Sequence, residues 1–113
     1  MIKYLDKNDD FQQIIANNKH VIVDFYADWC GPCRMLGRSL ESLEEEFKDI
    51  VILKVNVDEF EQISSQFHVM SIPYLLAFKE GKRSDFIVGG EKQDSILGAL
   101  PEENLKEVLK NSF

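Results

Sequence analysis

The sequence lacks an excess of basic residues and a long hydrophobic run, and each absence excludes a class of protein. Thirteen Lys and Arg stand against twenty Asp and Glu, which gives a formal net charge of -7. An acidic chain repels phosphate backbones, so nucleic-acid binding is not expected. No stretch approaches the length of a membrane span, and residues 1–10 have neither the basic start nor the apolar run of a signal peptide. We therefore expect a cytoplasmic protein that makes no membrane contact.

Cysteine is also scarce, because the chain has only two, too few for a scaffold held together by disulfides. They are Cys30 and Cys33, three positions apart. In a reducing compartment such a pair suggests either a redox couple or half of a metal site. A structural zinc site needs four ligands, and the remaining candidates, His20 and His68, form no second close pair. The number of ligands therefore argues against a bound metal.

Length and pattern predict one α/β domain over residues 1–113. A chain of this length can bury a sufficient core, and 44% hydrophobic residues is ordinary for a globular protein. Apolar runs that suit strands alternate with apolar residues at helical spacing. The expected strands are 21–27, central in the sheet, 50–57, parallel to it, 74–78 and, as an antiparallel fourth, 86–88. Four helices are expected. The first starts at a capping pair of Asp9 and Gln12, and the second follows the cysteines with Leu36, Leu40, Leu43 and Phe47 on one face. The third includes Ile63 and Phe67, and the fourth starts at Pro101.

The cysteine pair stands where a strand passes into a helix, which places Cys30 at a helix N-terminus. Free amide groups and the positive end of the helix dipole favour a thiolate there, and the thiolate is the form that attacks a disulfide. Cys33, one helical turn further on, can attack Cys30 and release a mixed disulfide. We therefore predict that Cys30 is the nucleophile and Cys33 the resolving thiol, the alternative being two inert buried thiols.

The residues beside the pair are candidate contacts for a substrate. Gly31 leaves little side chain in the way of an approaching protein disulfide, while Pro32 removes an amide and fixes the turn. Trp29 is expected to form an apolar rim, although a single aromatic residue beside a turn is often only part of the packing.

Two charged residues interrupt apolar strand runs. Asp24 lies in the most hydrophobic run, where burial would raise its pKa, so it is a candidate acceptor for the Cys33 proton. The alternative is a solvated carboxylate at the edge of the sheet. Lys54 lies in the second run and, if the two strands are parallel neighbours, would lie near Asp24 and tune its proton affinity. Alternatively, Lys54 reaches solvent along its apolar stem.

The segment 23–33, with the sequence VDFYADWCGPC, closely resembles the active-site segment of thioredoxins. Three further segments resemble that family in the same order along the chain. These are KVNVD at 54–58, MSIP at 70–73 and FKEG at 78–81. Together the four segments extend the resemblance over most of the chain.

The resemblance implies a fold and an activity. The fold is the thioredoxin fold, in which helices flank a central mixed sheet. The activity is that of a protein-disulfide reductase with no bound cofactor, which receives electrons from NADPH through thioredoxin reductase. The implied clients are proteins with disulfides, peroxiredoxins or reductase-type enzymes among them, and we expect a cytoplasmic monomer.

The resemblance also assigns roles to residues by position. It gives Asp24 and Lys54 the roles argued above. It places Trp29, Ile72 and Pro73 in the groove that holds the substrate, with the Ile72–Pro73 bond cis beside the cysteines.

Some positions depart from the pattern of the family. Arg38 stands where the family has a kinking proline, so this helix is either straighter or bent at Gly37. Tyr26 occupies a frequent tryptophan position, and Tyr74 replaces the usual threonine after the proline. The segment 89–98 is longer than usual. The residues around Gly89 and those around Gly98 both resemble the family's glycine turn beside the active site, so the sequence does not decide which glycine lies beside the cysteines.

A second class of function is a scaffold or binding subunit, which would use the acidic fold and the Trp29 rim to hold a partner without redox turnover. The intact cysteine pair favours the enzyme.

Overall fold

The structure, a computed structural model, describes residues 1–113. The strands are β1 (Ile2–Tyr4), β2 (His20–Tyr26), β3 (Val51–Asn56), β4 (Tyr74–Lys79), β5 (Lys82–Ser84), β6 (Phe86–Val88), β7 (Glu91–Gln93) and β8 (Ile96–Leu97). The helices are α1 (Phe11–Asn17), α2 (Gly31–Leu43), α3 (Glu61–Gln66) and α4 (Glu102–Ser112).

Strand β2 lies at the centre of the main sheet, as its apolar run predicts. The strand order is β1-β3-β2-β4-β5, and β8 also pairs with β4. Strands β1, β3 and β2 are parallel, whereas β4 pairs antiparallel with β2 and β5 pairs antiparallel with β4. The expected mixed sheet flanked by helices is confirmed. No sequence pattern had indicated β1, which joins the sheet at its edge.

Alternate residues of β2 pack into two separate cores, one on each face of the sheet. Val21, Val23 and Phe25 belong to the core that includes residues of α1. Ile22 belongs to the core that includes residues of α2 and α4. Asp24 shares the face of Ile22 because residues two apart on a strand point the same way. Both faces of β2 are therefore covered, and Asp24 is enclosed beneath α2.

Helix α1 starts one residue later than the predicted capping pair of Asp9 and Gln12 implies. Its N-cap is Asp10, whose carboxylate accepts the backbone N–H of Gln13 at 3.1 Å. The prediction of Asp9 with Gln12 is wrong because the Asp9 carboxylate has other partners. It accepts the backbone N–H of Asp6 at 2.8 Å and pairs with Lys3 at 3.1 Å.

Helix α2 carries the predicted buried residues Leu36, Leu40 and Leu43 and runs without interruption past Arg38. The prediction that Phe47 belongs to this helix is wrong, because α2 ends at Leu43 and Phe47 lies in the turns that follow. Its side chain still packs against the same core.

The return strand beside β4 is not the one predicted. Strand β5 follows the Glu80-Gly81 turn at once and takes the pairing positions on β4, so the polar residues 82–84 form the edge. Phe86–Val88 pairs instead with β7 in a separate two-stranded sheet. Phe86 is fully buried in the core that contains α4, and the N–H of Ile87 donates to the Ser112 hydroxyl at 2.8 Å. These contacts attach the β6–β7 hairpin to the last helix.

Helix α4 follows Pro101 as predicted, with Leu105, Val108 and Leu109 buried. None of the four helices combines the length and the apolar composition needed to cross a bilayer.

Candidate active site

The cysteine pair lies at the junction of β2 and α2. Cys30 is the N-cap of α2, and its sulfur accepts the backbone N–H of Cys33 at 3.2 Å. Pro32 falls in the first turn, where a missing N–H leaves no helical hydrogen bond unmade. The expected position of Cys30 at a helix N-terminus is confirmed. A sulfur that receives an amide hydrogen bond at the positive end of a helix is favoured as a thiolate.

Cys30 and Cys33 are joined as a disulfide, with their Cα atoms 5.2 Å apart. Both residues are buried, and they form a small apolar cluster with Ala27 that Ile72 also contacts. The pair therefore occupies an apolar setting at one end of the sheet.

The proline loop faces the disulfide. The Cys30 sulfur lies 3.9 Å from the carbonyl oxygen of Ile72, and the Ile72–Pro73 bond is cis, as the resemblance implies. The N–H of Gly98 donates to the Pro73 carbonyl at 2.8 Å. Of the two glycines left open by the sequence, Gly98 therefore lies beside the site. Gly89 instead forms the tip of the β6–β7 hairpin together with Gly90.

Trp29 lies on the surface next to the pair and is 70% exposed. Its indole N–H donates to the Asp58 carboxylate at 2.9 Å, which fixes the ring. Asp58 is itself placed by Asn56, whose side-chain oxygen accepts the backbone N–H of Asp58 at 2.9 Å. This role of Asp58 was not predicted from the sequence. A signal was present, since Trp29 and Asp58 follow two parallel strands that end at the same edge of the sheet.

A shallow apolar groove lies beside the disulfide. It is lined by Trp29, Val57, Val69, Met70, Ser71 and Ile72. Met70 is 92% exposed, so a large apolar side chain is available to a partner there. Such a surface suits an extended protein segment more than a small polar ligand.

Asp24 and Lys54 meet on neighbouring parallel strands, as predicted. They are register partners of β2 and β3, and the Lys54 ammonium lies 3.7 Å from the carboxylate. Asp24 is 1% exposed, so the alternative of a solvated carboxylate at the sheet edge is wrong. Neither carboxylate oxygen accepts a hydrogen bond. Burial raises the pKa of Asp24 to about 6, and the nearby Lys54 charge acts in the opposite direction.

Lys54 links this buried pair to Cys33. It lines a cavity of about 320 Å³ together with Cys33 and Gly37 of α2. Cys33 and Lys54 therefore border the same cavity, and the Lys54 ammonium lies beside Asp24.

No three side chains of His, Cys, Asp or Glu lie close enough together to hold a metal ion. His20 is partly buried at the start of β2, and His68 is exposed after α3.

The chemistry that this arrangement supports is exchange between a dithiol and a disulfide. The fold and the site therefore define the chain as a thiol-disulfide oxidoreductase. Comparison with known proteins makes this more specific. The family model described as Thioredoxin matches residues 2–102, and the chain belongs to the thioredoxin family.

Relatives from two bacteria match over nearly their whole length. A thioredoxin of Mycoplasmoides gallisepticum is 38% identical over 109 residues, which are 96% of this chain and 100% of that protein. A thioredoxin of Chlamydia caviae is 45% identical over 96 residues, 85% of this chain and 93% of that protein.

Solved structures agree with this placement. The solution structure of oxidised thioredoxin from Plasmodium falciparum is 30% identical, with a TM-score of 0.78, and the match covers 98% of this chain and 97% of that one. A chain from a study of thiol resolution in a yeast mitochondrial 1-Cys peroxiredoxin via glutathione and thioredoxin systems is 28% identical. Its TM-score is 0.78, with 97% of this chain and 94% of that one covered. The chain is thus an enzyme that reduces protein disulfides, and the usual route by which its family is recharged is thioredoxin reductase with electrons from NADPH.

Proposed function

We propose that Cys30 attacks the client disulfide and that Cys33 resolves the mixed disulfide. The observation that carries this assignment is the hydrogen bond from the Cys33 amide to the Cys30 sulfur at the start of α2. A thiolate at residue 30 is stabilised by this bond and by the helix dipole, whereas Cys33 lies inside the first turn.

The exchange proceeds in two displacements. The Cys30 thiolate attacks one client sulfur, an S–S bond forms, and the other client sulfur leaves as a thiolate. Cys33 then loses its proton and attacks the Cys30 sulfur. The Cys30–Cys33 disulfide forms, and the second client sulfur leaves as a thiolate that takes up a proton from water. Two electrons pass from the enzyme to the client.

Asp24 is the proposed acceptor of the Cys33 proton. Its pKa, raised by burial to about 6, leaves it ionised at neutral pH but more basic than an ordinary carboxylate. Lys54 tunes this affinity, because a cation 3.7 Å away favours the ionised form.

The client is proposed to bind across five residues around the pair. Trp29 and Ile72 offer apolar surface, Gly31 leaves the Cys30 side open, and Pro32 and Pro73 shape the two turns that face each other. Of these five residues, only Trp29 and Pro32 are exposed. This pattern of exposure suits a narrow groove that an extended strand of the client enters from the surface.

The setting of the reaction is also proposed. A reductant needs a reducing compartment, so we place the chain in the cytoplasm, as a carrier in electron transport. We propose that it acts as a monomer. Its radius of gyration of 12.8 Å is that of a single compact domain of this length. Peroxiredoxins are proposed clients, because a structural relative comes from a study of one.

An insulin-reduction assay with NADPH and thioredoxin reductase tests the assignment. We expect Cys30→Ser and Cys33→Ser both to lose turnover, because each removes one of the two sulfurs that must form the product disulfide. Only Cys33→Ser should accumulate a covalent client complex, which non-reducing electrophoresis detects.

Ser65→Ala, an exposed change on α3, is the matched control and should keep full turnover. Client trapping on Cys30→Ser instead of Cys33→Ser would reverse the two roles. Turnover by the double-serine variant would refute the assignment, and its full function in cells would favour a scaffold.

A further inference from the structure

Four side chains of the main sheet form one polar patch beneath α2. Tyr4 of β1 is the register partner of Lys54 on β3, and Lys54 is the register partner of Asp24 on β2. Register partners in a parallel sheet point to the same face, and so do residues two apart on a strand. Tyr26, two residues after Asp24 on β2, therefore lies on the same face beside this row.

The Lys54 ammonium lies against two aromatic faces. It is 4.7 Å from the centroid of the Tyr26 ring and 5.2 Å from the centroid of the Tyr4 ring. The rings contact each other edge to face, with centroids 6.0 Å apart. A cation at such distances is attracted by the negative face of each ring. The two rings thus form a corner that holds the ammonium.

The remaining sides of this corner are formed by α2 and by Asp24. A Cβ at Gly37 would lie 3.2 Å from the Lys54 Nζ, so the absence of a side chain there leaves the room that the ammonium occupies. Tyr4 is 54% exposed on the edge strand β1 and stands between Lys54 and solvent. Without this ring, a lysine side chain can extend outward to water.

We propose that Tyr4 and Tyr26 are positioning residues, which hold the Lys54 ammonium against the Asp24 carboxylate. This inference rests on the proposed role of Asp24 as proton acceptor and deepens it. The closer the ammonium is held, the more the ionised form of Asp24 is favoured over the protonated form. The two rings therefore set the pH at which the acceptor is ready for the Cys33 proton.

Other charged groups near the pair do not take over this role. No other Lys or Arg forms an ion pair with Asp24, and β4 places the apolar Leu75 opposite it. The cavity that Lys54 shares with Cys33 is also lined by Arg34, Arg38 and Glu41 of α2 and by Asp28 of the turn. These four side chains are exposed, so water and salt screen them, and the Tyr4 variants leave them in place.

Titration of the Asp24 carboxyl carbon by NMR in the oxidised protein tests the proposal directly, since oxidised cysteines do not titrate. We expect Tyr4→Leu to raise the midpoint by about half a pH unit or more, because the attraction of a ring for the ammonium is lost. Tyr4→Phe keeps the ring and should keep the midpoint. Tyr4→Val is a second variant without a ring, and it suits a strand.

The pH profile of client release from the mixed disulfide gives an independent readout. In Tyr4→Leu its acid limb should move to higher pH by the same amount. Below the midpoint this shift corresponds to a release rate about threefold lower than that of the wild type.

Lys54→Met supplies the decisive control. In this background Tyr4→Leu should leave the Asp24 midpoint where Lys54→Met alone puts it. The proposal is overturned by an unchanged midpoint in Tyr4→Leu, by an equal shift in Tyr4→Phe, or by a shift that persists without Lys54. Asp24→Asn separates this proposal from the proposed function. If that variant keeps the acid limb, Asp24 is not the acceptor, whereas the NMR titration still decides whether the rings position Lys54.

Discussion

At the scale of single residues, Asp24 opposes folding at neutral pH, because neither of its buried oxygens accepts a hydrogen bond. Burial raises its pKa to about 6, against an ordinary value of 3.8. Between these two pH values the folded protein keeps a proton that the unfolded chain has released, so stability falls as the pH rises through this window. A difference of roughly two pKa units corresponds to about 3 kcal/mol.

We therefore predict that Asp24→Asn raises the free energy of unfolding of the oxidised protein at pH 7 by about 2–3 kcal/mol. The gain should shrink as the pH falls from about 6 to about 4, because the wild-type carboxyl becomes neutral as well. Urea denaturation at several pH values measures it. Asp85→Asn, at an exposed aspartate, is the control and should change stability little. A gain that does not depend on pH would contradict the explanation.

Most residues of the site could be predicted from the sequence, but one could not. Cys30 and Cys33 are neighbours in sequence, and Asp24 and Lys54 are conspicuous because each interrupts an apolar run. The role of Tyr4 could not be foreseen, because it depends on the pairing of β1 with β3.

At the scale of elements, the strands that could be predicted are those with a long apolar run. Strands β2 and β3 are both buried along most of their length. The composition of the first run indicated burial on both faces, and the β-branched residues of the second indicated a strand that pairs beside it. The capping residue of α1 could not be chosen, because Asp9 with Gln12 and Asp10 with Gln13 are the same pattern shifted by one residue. The prediction of how Phe86–Val88 pairs was wrong for a different reason. A short apolar run has the same sequence signature whichever strand it pairs with.

The β6–β7 hairpin depends on Phe86, which is fully buried between the sheet and α4. We predict that Phe86→Ala lowers the free energy of unfolding by about 3–5 kcal/mol, because it removes a large core side chain and leaves a cavity. Lys92→Ala, on the exposed strand β7, should stay within about 0.5 kcal/mol of the wild type. Urea denaturation compares the two variants, and a similar small effect for both would show that the hairpin is not anchored through this ring.

At the scale of the whole molecule, the net charge of -7 should influence which clients are reduced fastest. An acidic protein attracts basic partners over a distance that shrinks as salt is added. We predict that a disulfide peptide flanked by lysines is reduced roughly tenfold faster than a matched peptide flanked by glutamates at an ionic strength of about 0.01 M. The two rates should converge near 1 M salt. Stopped-flow measurement of tryptophan fluorescence provides the rates, and equal rates at low salt would contradict long-range steering.

The hairpin tip at Gly89 and Gly90 also has a practical consequence for engineering. No residue of β6 or β7 lines either cavity beside the cysteines, and both glycines are exposed. Foreign sequence grafted at an exposed turn is generally tolerated when the flanking strands keep their contacts. An epitope or a fluorescent reporter inserted between these glycines would travel with the enzyme and leave the redox groove free.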